Sequence, residues 1–158
     1  MNKYLIKTSL IILIFLNSAC SYNPIFSQKN YNFEINEILF SGEKDINRII
    51  ENKLSLIKNT SNGNKIKYKI VVHTKINKKI ISKDSKGDPS KFELQVRTTF
   101  EVTGNQRVLV NKELKNNNIY NNISDKFELE QTEKNILENI AEIISDEILS
   151  SIINLDDN

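Results

Sequence analysis

The sequence predicts an α+β sandwich: a four-stranded, mostly antiparallel sheet with two helices packed on one of its faces. Three observations lead there. Four segments alternate apolar and polar residues with the period of a half-buried strand. Two others repeat apolar residues every three or four positions, as a helix with one buried stripe does. Their order, strand-helix-strand-strand-strand-helix, gives one sheet and one helical layer to cover it. At 158 residues the chain has room for one such core, and residues 31–158 are assigned to it.

The first strand falls at residues 31–40, where Tyr31, Phe33 and Ile35 alternate with Asn32, Glu34 and Asn36 before Ser41-Gly42 breaks the pattern. A helix follows, striped by Ile46, Ile49, Ile50, Leu54 and Ile57, and the turn formers from Asn59 to Asn64 end it. Residues 65–76 hold the clearest strand. Ile66, Tyr68, Ile70, Val72, Thr74 and Ile76 share one face, and Lys65, Lys67, Lys69, His73 and Lys75 share the other. Residues 84–90, Asp-Ser-Lys-Gly-Asp-Pro-Ser, read as a turn or mobile loop.

Phe92, Leu94, Val96, Phe100 and Val102 then alternate with Glu93, Gln95, Arg97, Thr99 and Glu101. Across Thr103-Gly104-Asn105, residues 106–114 make a shorter strand through Val108 and Val110, so the pair is a hairpin. Strands with one apolar face suit an antiparallel sheet covered on one side. From Ser124 the period lengthens to that of a helix, with Ser124 or Asp125 as its cap and Glu128 placed for a capping box. Ile136, Leu137, Ile140, Ile144, Ile148 and Ile152 form a stripe long enough to cross a whole sheet.

The amino terminus has a different character. Lys3 and Lys7 accompany a run of about a dozen mostly apolar residues ending near Phe15, whereas a membrane-spanning helix needs roughly 20. Residues 1–19 therefore read as a signal peptide. Ser18-Ala19-Cys20 resembles the lipobox of bacterial lipoproteins, with Asn17 in the place usually held by Leu. That resemblance implies cleavage between Ala19 and Cys20 and acylation of the Cys20 thiol. Lipidation also accounts for a lone cysteine that has no intramolecular partner in an exported chain. Several acyl chains, at about 0.8 kcal/mol per buried methylene, anchor stably where one would not. Residues 20–30 would be the tether.

Charge is unevenly distributed. Residues 65–115 hold 13 basic and 5 acidic side chains, and residues 124–158 hold 2 basic and 10 acidic ones. Such opposite segments either attract one another within the fold or present a basic face to an anionic partner. Lys75, Lys78, Lys79, Lys83 and Lys86 crowd one stretch. They either keep an exposed strand soluble or meet anionic lipid phosphates. Nucleic acid is a poor partner for an exported chain whose lysine face has no aromatic platform.

Enzymatic chemistry finds no foothold. His73, the single histidine, sits among lysines on a polar strand face. No Gly-rich phosphate loop, metal-ligand spacing, activated nucleophile or unequal carboxylate pair is visible, and no cofactor is implied.

The stretch Cys20-Ser21-Tyr22-Asn23-Pro24-Ile25-Phe26 resembles the mature amino terminus of the LptE family, which reads Cys-Gly-aromatic-x-Pro-aliphatic-aromatic; Ser21 replaces the Gly. Phe100-Glu101-Val102-Thr103-Gly104-Asn105, Val108-Leu109, Tyr120-Asn121, Ser124 and Phe127 resemble the family's strand-turn-strand and its final-helix entry. Membership would imply two helices on a four-stranded sheet and a non-enzymatic lipoprotein of the outer membrane, facing the periplasm. It would further imply an LptD-type β-barrel as partner, plugged and assisted in its assembly, and lipopolysaccharide as the anionic ligand of the lysines. Two other readings stand beside it: an independent periplasmic lipoprotein module binding anionic glycan or lipid, and a lipid-tethered hydrolase.

Overall fold

A computed structural model describes residues 33–58 and 65–156. The sheet is mixed, with its strands in chain order: β1 (Phe33–Gly42), β2 (Ile66–Lys83), β3 (Pro89–Gly104) and β4 (Arg107–Asn121). β1 runs parallel to β2, and the other neighbours are antiparallel. The crossover between the parallel pair is α1 (Lys44–Lys58), and α2 (Lys126–Asp156) closes the fold. The architecture and element order expected from periodicity are those observed. The signal peptide, the tether, Ala19 and Cys20 lie outside the described residues.

The core lies between the sheet and the two helices. Phe33, Ile35, Tyr68, Ile70, Val72, Val96, Phe100 and Val102 line the sheet side, while Ile46, Ile50 and Leu54 face them from α1. On α2, Ile140, Ile144, Ile148 and Ile152 recur every four residues and are buried. Each such side chain contributes about 1.5–3 kcal/mol by leaving water. Ala141 and Ser145, one position after Ile140 and Ile144, are also fully buried. The Ser145 hydroxyl donates to the Ala141 carbonyl at 2.7 Å and so costs little in this apolar setting. Lys53 of α1 meets Asp146 of α2 at 2.8 Å, tying the helices at their solvent edge. Asp125 is the cap of α2: its carboxylate accepts from the Phe127 and Glu128 amides at 2.8 and 3.2 Å.

Three strands outrun their apolar pattern. β2 extends to Lys83, β3 begins at Pro89, and β4 reaches Asn121 rather than stopping near residue 114. Ladder hydrogen bonds carry them on after the alternation weakens, and at this end Glu133 of α2 meets Lys78 and Tyr120 of the sheet. Residues 84–90 shrink to a tight turn. The Asp84 carboxylate accepts from the Lys86 and Asp88 amides, both at 2.9 Å, and Gly87 takes the positive φ of 89° the turn requires.

Two bulges reset which residues face the core. One in β1, between Ile35 and Glu37, lets Ile38 and Phe40 follow Phe33 and Ile35 inward and turns Glu37 and Leu39 outward. The other, between Val102 and Thr103, parts Val108 from Val110. Val108 pairs with Thr103 and is exposed, whereas Val110 pairs with Val102 and packs on the core.

Candidate functional site

With both helices on one face, the other face of the sheet carries no layer among the described residues. Strand alternation delivers Val71, His73, Lys75, Asn77 and Lys79 from β2 to this face, and Glu93, Gln95, Arg97, Thr99 and Glu101 from β3. The ladder register then aligns residues across strands. Lys75 pairs with Arg97 and Arg97 with Lys115, so three cations stand side by side across β2, β3 and β4. The next rung is made of carboxamides, Asn77 opposite Gln95 and Gln95 opposite Asn117. Lys75, Asn77, Gln95 and Arg97 line a depression of about 180 Å³.

One carboxylate offsets this row. Glu113, on β4, lies 3.4 Å from Arg97 and 3.3 Å from Lys115. The Lys75 side chain has no hydrogen-bond or ion-pair partner among the described residues. The row therefore holds three positive charges against one negative one, on a surface where cations directly opposite one another repel unless an anion joins them. Exposed cations with amide donors on the adjacent rung can bind phosphate or carboxylate groups by charge and by hydrogen bonding. They offer no nucleophile and no proton-transfer pair.

A second depression, about 230 Å³, lies beside it and is lined by Val71, His73, Thr99, Phe100, Glu101 and Asn111. His73 Nδ1 is 2.9 Å from the Ser41 hydroxyl. Among the described residues no cluster of three or more His, Cys, Asp or Glu side chains is arranged to hold a metal ion. No described helix is long and apolar enough to cross a membrane.

The five lysines singled out in the sequence do not share one surface. Lys75 and Lys79 belong to the open face, while Lys83 ends β2 and Lys86 sits in the exposed turn beyond it. Lys78 points to the helical side. Its ammonium is 2.5 Å from Glu133 of α2, 4.4 Å from the centre of the Phe92 ring and 6.0 Å from that of Tyr120. That lysine fastens α2 to the sheet. Arg97 and Lys115 were not singled out, because 18 and 36 residues of chain separate them from Lys79. Only the ladder brings them to Lys75.

No protein-family model matches the sequence, and no curated protein is similar to it. Solved structures do match. Rare lipoprotein B from Shewanella oneidensis is 16% identical with a TM-score of 0.55, the match covering 76% of this chain and 98% of that one. A minor lipoprotein from Acinetobacter baumannii is 12% identical with a TM-score of 0.54, over 74% of this chain and 91% of its own. Lipoprotein B from Nitrosomonas europaea is 17% identical with a TM-score of 0.50, over 80% and 88%. At these identities the likeness shows a shared, LptE-like fold.

Proposed function

We propose that this chain is a non-catalytic lipoprotein of lipopolysaccharide assembly, acylated at Cys20 after cleavage behind Ala19. It is held at the outer membrane, faces the periplasm and sits in the lumen of an LptD-type β-barrel whose assembly it assists. The observation that carries this reading is the open sheet face with its row Lys75, Arg97 and Lys115. A rigid sandwich with one bare polar face is suited to a water-filled barrel interior. A row of cations beside carboxamides is suited to the phosphates of lipopolysaccharide. The fold shared with lipoproteins and the lipobox at Ser18-Ala19-Cys20 point the same way.

Within the ligand-binding role, Lys75, Arg97 and Lys115 form the central contact and Lys79 flanks it. Lys83 and Lys86 reach the same ligand only at its periphery. Lys78 has no part in it, being held by Glu133.

Affinity purification of the full-length protein from its native membrane in gentle detergent tests the partner. A stoichiometric large β-barrel supports the reading. Recovery of the lipoprotein alone, while other outer-membrane complexes survive, favours an independent module for anionic glycan or lipid. The ligand is tested with purified lipopolysaccharide: Lys75→Glu with Lys115→Glu abolishes binding, and Lys83→Glu with Lys86→Glu weakens it only slightly. Equal binding by all these variants sinks the assignment of the face.

A further inference from the structure

A different part of β2 is bare at its edge among the described residues. β1 accompanies β2 only as far as Gly42, opposite Thr74. There the chain must leave the sheet, and Gly42 makes this possible at φ 91°; a Cβ at this position would stand 1.9 Å from the Thr74 carbonyl oxygen. Thr74 and Asn47 secure the departure. The Thr74 hydroxyl accepts from the Glu43 amide at 2.9 Å and lies 2.8 Å from Asn47 Oδ1, and Asn47 Nδ2 donates to the Ser41 carbonyl at 3.1 Å. Beyond Thr74, β2 continues for nine residues with β3 on one side and no described strand on the other.

The Ile76 amide faces this open side and donates to the Glu43 carboxylate at 3.5 Å. Backbone groups alternate sides along a strand, so Lys78 and Ile80 present their amides and carbonyls in the same direction. We propose that this edge receives an extended acidic segment of a partner polypeptide, added beside β2 from Lys75 to Ile80 as a further strand.

The side chains along the edge specify that segment. Lys75 and Lys79 stand on the open face of the sheet, while Ile76 and Ile80 stand on the helical face, Ile80 half exposed. A strand bearing acids on one face and β-branched residues on the other satisfies both rows. Pairing with a second copy of this chain would set Lys75 and Lys79 against one another across the seam, and edge lysines of this kind resist such self-association. The Glu43 carboxylate at the Ile76 amide already occupies the first position of the edge as an acidic partner would. This site differs from the lipopolysaccharide reading in using main-chain groups of the β2 edge, and it shares the side chains of Lys75 and Lys79 with that face.

The test uses full-length protein in detergent and, as probe, an acetylated and amidated (Glu-Val)4 peptide, with site-resolved amide hydrogen exchange as the readout. The expected result is exchange at Lys78 and Ile80 slowed by about tenfold or more, reduced by salt, with no effect from a (Lys-Val)4 peptide. Ile80→Pro removes one edge-facing donor and leaves the β2–β3 ladder in place, so it removes the protection. Should that variant fold poorly, (Glu-Val)4 N-methylated at alternate residues must lose the effect on the wild-type protein. Binding without protection at Lys78 and Ile80, or binding indifferent to N-methylation, overturns the proposal. So does concentration-dependent protection of these amides without peptide, which would assign the edge to a second copy.

Discussion

The Tyr120 hydroxyl donates to Glu133 Oε1 at 2.8 Å, joining the end of β4 to the second turn of α2. The same oxygen takes the Lys78 ammonium, and the Phe92 ring lies beneath both. This group holds the amino-terminal part of α2 against the part of the sheet that its isoleucine stripe does not reach.

Burial, the hydrogen bond to Glu133 and the negative charge of Glu133 all raise the Tyr120 pKa above its ordinary value of 10.0. The unfolded chain then releases this proton at a lower pH than the folded one. The contribution is fully present below pH 10 and is lost as pH rises beyond it. Urea unfolding followed from pH 8 to 11 should show stability falling more steeply in the wild type than in Tyr120→Phe. The variant itself should be about 1 kcal/mol less stable at neutral pH. Parallel pH profiles for the two proteins would contradict this assignment.

Thr98 is fully buried on the core face, opposite Leu114, and its hydroxyl has no hydrogen-bond partner among the described residues. A buried hydroxyl without a partner costs about 1–3 kcal/mol in desolvation. Thr98→Val keeps the branched shape and removes the polar atom, so it should stabilise the fold by about 1 kcal/mol in denaturant titrations. A less stable variant would mean that the hydroxyl is satisfied after all.

The β3–β4 hairpin turns through Asn105 and Gln106, at φ 51° and 61°. Two successive positive φ values make a type I′ turn, where Gly is favoured at the second position and Gln is strained by roughly 1 kcal/mol. Gln106→Gly should therefore raise the unfolding midpoint. Gly42→Ala should do the reverse and cost roughly 3 kcal/mol or more, since the new methyl would collide with the Thr74 carbonyl. The two glycine exchanges have opposite signs because one relieves a positive φ and the other forbids one.

Glu113 is the only carboxylate ion-paired with Arg97 or Lys115 among the described residues. If the cation row binds an anion, Glu113 competes with it. Glu113→Gln should tighten lipopolysaccharide binding by roughly two- to fivefold at low salt, the range expected of an exposed ion pair, and the gain should shrink as salt is added. Weaker binding by this variant would point to a ligand that needs the carboxylate.

Much of this molecule is legible in its residues. Alternation in β2, from Tyr68 to Thr74, and the four-residue stripe on α2 mark their buried faces, because one face of each element is apolar and the other charged. The tight turn at Asp84 and the cap at Asp125 follow from local hydrogen bonding that those side chains make wherever they occur. The candidate site is less legible. Five neighbouring lysines suggested one basic surface, yet a period of two sends Lys78 to the opposite side from Lys75 and Lys79, into the grasp of Glu133.

What the sequence determined by itself is the set of elements, their apolar faces and the layer they must form, all consequences of short-range periodicity. Tertiary structure alone decided which residues became neighbours. A two-residue turn at Asn105-Gln106 without a bulge would set Arg97 opposite Leu114. The irregularity at Val102/Thr103 shifts the ladder by one residue, sends Leu114 to the core opposite Thr98, and places Lys115 beside Arg97. Burial of Val110 and Leu114 favours that shift, since a one-residue slip exchanges the two faces of a strand. The cation row is thus a product of how the core packs.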